Sequence, residues 1–135
     1  MKAHRRLLHQ LNQKTRLIQR NVNEVLAQHQ LYHSQWLILF YLSQFGSTTQ
    51  RGIADYLHVE PPTITRTIAR LQEMGWVSRV PGNDRREWVV SLTPEAQLKL
   101  PAVEADVMAF EQTFLRHLSK EDALQLEKLL QQIGT

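Results

Sequence analysis

The stretch PPTITRTIARLQEMG (residues 61–75), followed by the runs WVSRV (76–80) and EWVVSL (87–92) joined by PGNDRRE (81–87), decides the fold. In its first part Ile64, Ile68 and Leu71 recur at three- and four-residue steps, which predicts a helix with one buried stripe and turns Thr63, Thr65, Arg66, Ala69 and Arg70 outward or to its flanks. Pro61 suits the first helical position, where its missing N–H costs nothing, and Gly75 ends the helix. The two later runs read as a β-ribbon, with Gly82, Asn83, Arg85 and Arg86 in its turn. A helix feeding a ribbon with arginines at its tip can offer two arms to a duplex, the helix to the major groove and the tip to the narrower minor groove.

Upstream, Thr49–Leu57 reads as a short helix with Ile53 and Leu57 inward and Ala54 small enough for close helix contact. His58-Val59-Glu60 makes the turn, giving helix, tight turn, helix. The segment SQWLILFYLSQF (34–45) is apolar on nearly every side and reads as a core helix, with Ser34 as N-cap and Gly46 as stop. From His4 to about Gln28, Leu7, Leu8, Leu11, Ile18, Val22, Val25 and Leu26 predict one long helix with a narrow apolar stripe. Beyond the ribbon, Thr93-Pro94-Glu95 places cap, proline and acid in order for a helix carrying Leu100 through Leu118, which Pro101 can kink. Ser119 recaps a last helix bearing Leu126, Leu129, Leu130 and Ile133.

The fold class is therefore mainly α with a small β-ribbon (α+β), as a single domain over 1–135. A central lobe spans 30–92, and the flanking helices lie in 1–29 and 93–135. Their apolar faces exceed what the lobe can cover, so self-association through the termini is the simplest solution.

Composition narrows the function classes. The chain has no cysteine, which excludes disulfides, thiolate zinc sites and thiol switches. Its longest apolar run, WLILFYL, is too short to span a bilayer, and the basic N-terminus lacks the continuous apolar stretch of a signal peptide. A cytoplasmic location with no membrane partner is the expectation, and the rival reading of the first helix as a membrane-surface anchor is opposed by Glu24 and the polar second half. Net charge is +5 over residues 1–46, +1 over 47–92 and −3 over 93–135, so a nucleic-acid role for the lobe rests on where its arginines sit rather than on bulk charge. There is no phosphate-cradling glycine loop, nucleophile elbow or His-Glu-x-x-His, and no enzyme is expected. Six histidines are present, but only His29 and His33 have i, i+4 spacing and they straddle a helix break. Solvated histidines, with no metal and no cofactor, are the expectation.

Taken together, Ser34-Gln35-Trp36, Ile53-Ala54-Asp55-Tyr56-Leu57, Pro62-Thr63-Ile64-Thr65-Arg66, Leu71 to Gly75, and Asp84-Arg85-Arg86 followed by Leu92-Thr93 give the chain a family likeness. It resembles the MarR family of winged helix-turn-helix transcription regulators over about residues 5–118, and looks closest to the SlyA-like branch. The resemblance implies a homodimer with interlocked terminal helices, acting as repressor or activator on a pseudo-palindromic operator in double-stranded DNA. It implies that Pro62, Thr63 and Arg66 face the major groove, with Thr65 and Arg70 beside them, and that Arg86 with Arg85 enters the minor groove while Asp84 braces the wing arginine. Pro61 beside Pro62 departs from the family pattern and removes two backbone donors. So does Thr-Pro-Glu-Ala at 93–96, where many relatives have Thr, an acid or lysine, then glycine.

Rival readings stand beside these. Arg66 is otherwise a solvated arginine paired with Glu60 or Glu73, and Arg85 and Arg86 are otherwise surface partners of Asp84 or Glu87. A winged-helix module that binds protein without reading DNA is the alternative function. The resemblance also implies a small-molecule effector cleft, for which His9, Arg16, Tyr32, Trp36 and Phe40 are the candidate lining and a small aromatic or anionic ligand, such as an aromatic carboxylate, the expected occupant. Those aromatics read equally well as core.

Overall fold

A computed structural model describes all 135 residues. The chain begins with α1 (Ala3–Leu26), closed by a 3-10 turn at Ala27–His29, and continues with α2 (His33–Phe45), β1 (Thr48–Thr49), α3 (Gln50–Leu57) and α4 (Pro61–Glu73). β2 (Val77–Pro81) and β3 (Trp88–Leu92) form the ribbon, and α5 (Pro94–Phe114) and α6 (Lys120–Gln131) complete the chain. No helix is long and apolar enough to cross a membrane.

The expected helices all form, with local differences that have physical reasons. α2 starts two residues earlier than a Ser34 cap would place it. Tyr32 is its N-cap, and the Tyr32 backbone N–H donates to Gln35 Oε1 at 3.0 Å, so the third residue of the helix reaches back over its start. α5 stops at Phe114 rather than running to Leu118. Ser119 must be extended to cap α6, where its hydroxyl accepts from the Asp122 N–H at 3.0 Å. α3 is capped by Thr49, whose Oγ1 accepts from the Gly52 N–H at 3.0 Å.

Three helix ends share one geometry. After α4, Gly75 takes φ +85° while its N–H donates to the Gln72 carbonyl and the Trp76 N–H to that of Leu71. This Schellman arrangement folds the buried Trp76 back onto the helix. His58 after α3 and Gln30 after the 3-10 turn, both at φ 56°, make the same pair of bonds without glycine.

The ribbon is part of a three-stranded antiparallel sheet in the order β1-β3-β2, with Val77 opposite Leu92 and Thr48 opposite Val90. Val90 lies on the central strand and is fully buried. One core unites Ile38, Leu39 and Leu42 of α2, Ile53 and Ala54 of α3, Ile64, Ile68 and Leu71 of α4, Val77 and Val90 of the sheet, and Leu100 and Val103 of α5. α1 joins it only through its last turns, at Val22 and Leu26, while residues 3–10 are all exposed.

Two outcomes test this packing. Ile68→Ala should destabilise the chain by about 2–5 kcal/mol, whereas Arg66→Ala on the opposite face should stay within about 0.5 kcal/mol, as read by denaturant titration. His33 is half-buried at the start of α2, and burial lowers its pKa below the ordinary value near 6.5. The unfolded chain therefore binds more protons there, so the contribution is full above about pH 6.5 and is lost as pH falls toward the folded value. Unfolding titrations should show stability declining less between neutral pH and pH 5.5 in His33→Gln than in the parent.

Candidate nucleic-acid interface

The α4 stripe that enters the core fixes what faces solvent: Pro62, Thr63, Thr65, Arg66 and Arg70 are all exposed. Arg66 has no carboxylate within ion-pair distance, since the two ion pairs of the chain are His29–Asp106 and Arg70–Glu73. Its Nη2 instead lies 3.5 Å from Thr63 Oγ1, a loose contact that leaves the guanidinium available. Arg70 Nη1 is held 3.1 Å from Glu73 Oε2 on the open surface, a pair worth about 0–1 kcal/mol and easily exchanged for a phosphate.

The start of α4 offers no backbone donor. Pro61 and Pro62 lack N–H groups, and the next two, of Thr63 and Ile64, both donate to the Glu60 carbonyl. Contacts from this helix must therefore come from side chains.

At the wing, Arg85 and Arg86 are exposed and free of ion pairs. Asp84 does not hold the Arg86 guanidinium as expected. Its Oδ1 accepts from the Arg86 backbone N–H at 3.1 Å, and its carbonyl accepts from the Glu87 N–H at 2.9 Å, so it shapes the turn rather than aiming the side chain. Gly82 closes the loop by donating to the Glu87 carbonyl, and a Cβ at Gly82 would meet Glu87 Cβ at 2.9 Å.

The structure also joins residues that the sequence reading passed over. Arg79 on β2 sits over the Trp88 ring, 4.7 Å from its centroid, and its Nη1 donates to Gln50 Oε1 at 3.1 Å. Gln50 Nε2 then donates to Thr65 Oγ1 at 3.2 Å, and Thr65 Oγ1 donates to the Pro61 carbonyl at 3.0 Å. A continuous polar bridge thus runs from the base of the wing, over the start of α3, to the outer face of α4. The diagonal placing of Arg79 and Trp88 on one face of a ribbon was the available signal for its first half.

The expected cleft residues do not all converge. Trp36 and Phe40 line a cavity of about 380 Å³ between α1, α2 and α5. His9 and Arg16 are exposed on α1 and are not among its lining residues: His9 lies in the first turns, outside the packed lobe, and Arg16 stands two positions before Ile18, which does line the cavity, so its side chain turns to the opposite face of the helix. Tyr32 caps α2 with 68% of its surface exposed and faces a separate depression near Met74. The expectation of solvated histidines fails at two positions: His29 Nε2 lies 2.7 Å from Asp106 Oδ2, joining the end of the first helical segment to α5, and His33 is half-buried.

Comparison with known proteins matches this arrangement. Residues 31–88, from just before α2 to the first residue of β3, match the MarR family model. The chain is 46% identical over 120 residues to the uncharacterized HTH-type transcriptional regulator YwoH of Bacillus subtilis (strain 168), covering 89% of this chain and 88% of that protein. Among solved structures, a mutant MarR from E. coli complexed with operator DNA is 28% identical with a TM-score of 0.82, covering 96% of this chain and 92% of that one. A MarR-family regulator from Rhodococcus sp. RHA1 has the same fold with a TM-score of 0.89 at 21% identity, covering 98% of this chain and 95% of that one. With the helix-turn-helix, the wing and this relationship in place, the chain belongs to the MarR family of winged-helix transcription regulators.

Proposed function

We propose that the protein is a sequence-reading transcription regulator that acts as a homodimer on a pseudo-palindromic operator. The observation that carries this reading is where three of the exposed guanidinium groups without carboxylate partners stand: Arg66 on the outer face of α4 and Arg85 and Arg86 at the tip of the wing. A guanidinium in that state can make a bidentate contact to guanine or phosphate from the helix, and can enter a narrow A·T-rich minor groove from the wing. Pro62, Thr63, Thr65 and Arg70 complete the helix face. The likeness to a MarR held on operator DNA supports the same placement. Within the family, the SlyA-like branch is proposed on the whole run of matched residues from Ser34 to Thr93.

Homodimerisation is supported by the apolar surface that one chain leaves uncovered. Leu7 and Leu8 of α1 are 51% and 54% exposed, and α6 has no buried residue although Leu126, Leu129 and Leu130 are between 43% and 49% exposed. Two copies can cover these faces against each other and set two wings and two reading helices on one site. The cavity between α1, α2 and α5 is the place for an effector, because α2 also packs on α4 and a ligand there can displace the reading helix.

Four outcomes follow. Arg66→Ala should weaken binding to the selected site by about 1–3 kcal/mol and relax base choice at one position; equal weakening on every duplex would assign Arg66 to phosphate. Arg86→Ala should lose most affinity on operators with A·T-rich flanks at fixed salt, and Arg86→Lys should recover little, since ammonium leaves water less readily. Asp84→Asn keeps an acceptor for the Arg86 N–H and should bind nearly as the parent does, with Asp84→Ala between it and Arg86→Ala. If selection from random duplexes enriches no sequence and Arg86→Ala binds like the parent, the winged-helix protein-interaction reading replaces this one. Deleting residues 1–28 should yield insoluble protein, because obligate interfaces of this kind bury more than about 2,000 Å². A well-folded monomer from that truncation, seen by sedimentation, would remove the dimer from the proposal.

A further inference from the structure

Beyond Val89 the wing stands on two strands alone. The pairing of β1 with β3 ends at Thr49 and Val89, so that at Trp88 and toward the tip only β2 accompanies β3. Residues 83–88 are all exposed, and no core packing holds them. A two-stranded ribbon is marginally stable by itself and twists more freely than a wider sheet.

The chain passes from β1 directly into α3, and the first residue of that helix is Gln50, half-buried beside the Thr49 cap. Its amide bonds in two directions. Oε1 accepts from Arg79 Nη1 at 3.1 Å, where Arg79 lies over the Trp88 ring, and Nε2 donates to Thr65 Oγ1 at 3.2 Å. The direction of each bond follows from chemistry. A guanidinium can only donate, so the amide oxygen must face Arg79. The amide nitrogen then faces Thr65, whose hydroxyl accepts and sends its own hydrogen to the Pro61 carbonyl at 3.0 Å. An amide meets both demands at once, whereas a carboxylate has only acceptors to offer.

Thr65 stands one residue before Arg66, so the amide ties the last unsupported part of the wing to the turn of α4 that carries the exposed guanidinium. None of these residues lies on the terminal helices proposed to meet a second copy, and the bridge is complete within one chain. Resting on the reading of α4 and the wing as two arms on one operator, we infer that Gln50, which belongs to neither arm, is a positioning residue for specificity. Its amide sets the distance between the arms, and the protein accepts only operators whose α4 contact and A·T-rich flank stand at one spacing. Thr65 holds this distance with its hydroxyl rather than reading a base with it.

The test uses the full-length protein and the operator obtained by selection from random duplexes, at fixed salt. Gln50→Ala and Thr65→Val should each weaken operator binding about three- to tenfold, the cost of leaving one junction to be ordered on binding. The double variant should bind no more weakly than the weaker single, because either change breaks the same bridge. Thr65→Ser keeps the hydroxyl and should bind as the parent does. Spacing separates positioning from a merely structural role. One base pair inserted in each half-site, between the α4 contact and the A·T-rich flank, should cost the parent about tenfold or more, the scale of a lost base contact, and either single variant about threefold or less. Unfolding midpoints should match the parent's throughout. Losses that add in the double variant, parent-like binding by Gln50→Ala, or an insertion penalty no larger in the parent than in the variants would each overturn the inference and leave the regulator reading standing. Selection that enriches no sequence would instead strike the regulator reading, and this inference with it, so the two failures are distinguishable.

Discussion

The burial of Ile64, Ile68 and Leu71 against α2 and the sheet is the constraint on which the nucleic-acid face depends. Successive helical residues are about 100° apart around the axis, so a residue two positions from a buried one points about 160° away from it. Arg66 stands two positions from both Ile64 and Ile68, and once that pair is in the core its side chain has one direction left. The face that meets DNA in our reading is thus the complement of the core stripe. The same stripe sets the wing: Leu71 accepts the Trp76 N–H through the Gly75 turn, and the Thr93 hydroxyl donates to the Gly75 carbonyl at 2.7 Å while accepting from the Ala96 N–H. The end of α4, the base of β2 and the start of α5 therefore meet at one point.

If α4 and the wing read DNA as we propose, they are useful only at a fixed separation, because any freedom between them must be lost on binding. The bridge from Trp88 through Arg79 and Gln50 to Thr65 supplies that restraint where the core does not reach. It is partly exposed, so its net contribution to stability is small. Its effect lies in geometry: Thr65 Oγ1 is already engaged on both sides, which leaves Thr63 and Arg66 as the freer groups on that face.

Most of the architecture was legible because it rests on periodicity. The α4 stripe, the helices on either side of it, the ribbon and the caps at Thr93 and Ser119 follow from spacing and residue type. β1 was not legible, since two residues are too few to show an alternation; only the pairing of Thr48 and Thr49 with β3 defines it. The helix end at Gly75 announced itself through glycine, whereas Gln30 and His58 adopt the same left-handed geometry without that signal. At the candidate site, exposure of the arginines follows from the pattern, but the Asp84 carboxylate bonding to backbone and the Gln50 bridge depend on distances that no spacing encodes. The cleft residues divided for a related reason. Trp36 and Phe40 are one turn apart on a packed helix, while His9 and Arg16 lie on a part of α1 whose surroundings one chain does not determine.

The apolarity of α2 on nearly every side has a second meaning in the structure. Ile38, Leu39 and Leu42 supply the core, yet Phe40 and Phe45 remain 41% and 60% exposed, so burial in the lobe does not account for the whole helix. Tyr41 and Phe45 meet the Tyr56 ring of α3 in tilted and edge-on contacts, and Trp36, Leu37 and Phe40 turn to the cavity. One helix therefore serves two apolar spaces, one filled by α4 and one open. Gln35, buried at its first turn, takes the Tyr32 N–H on its oxygen and reaches the Met74 sulfur at 3.9 Å with its nitrogen, touching the C-terminal end of α4. Packed interiors transmit displacement rather than absorb it. An occupant that shifts α2 from the cavity side must move α4 through Ile38, Leu39 and Gln35, and with α4 the separation between Arg66 and the wing.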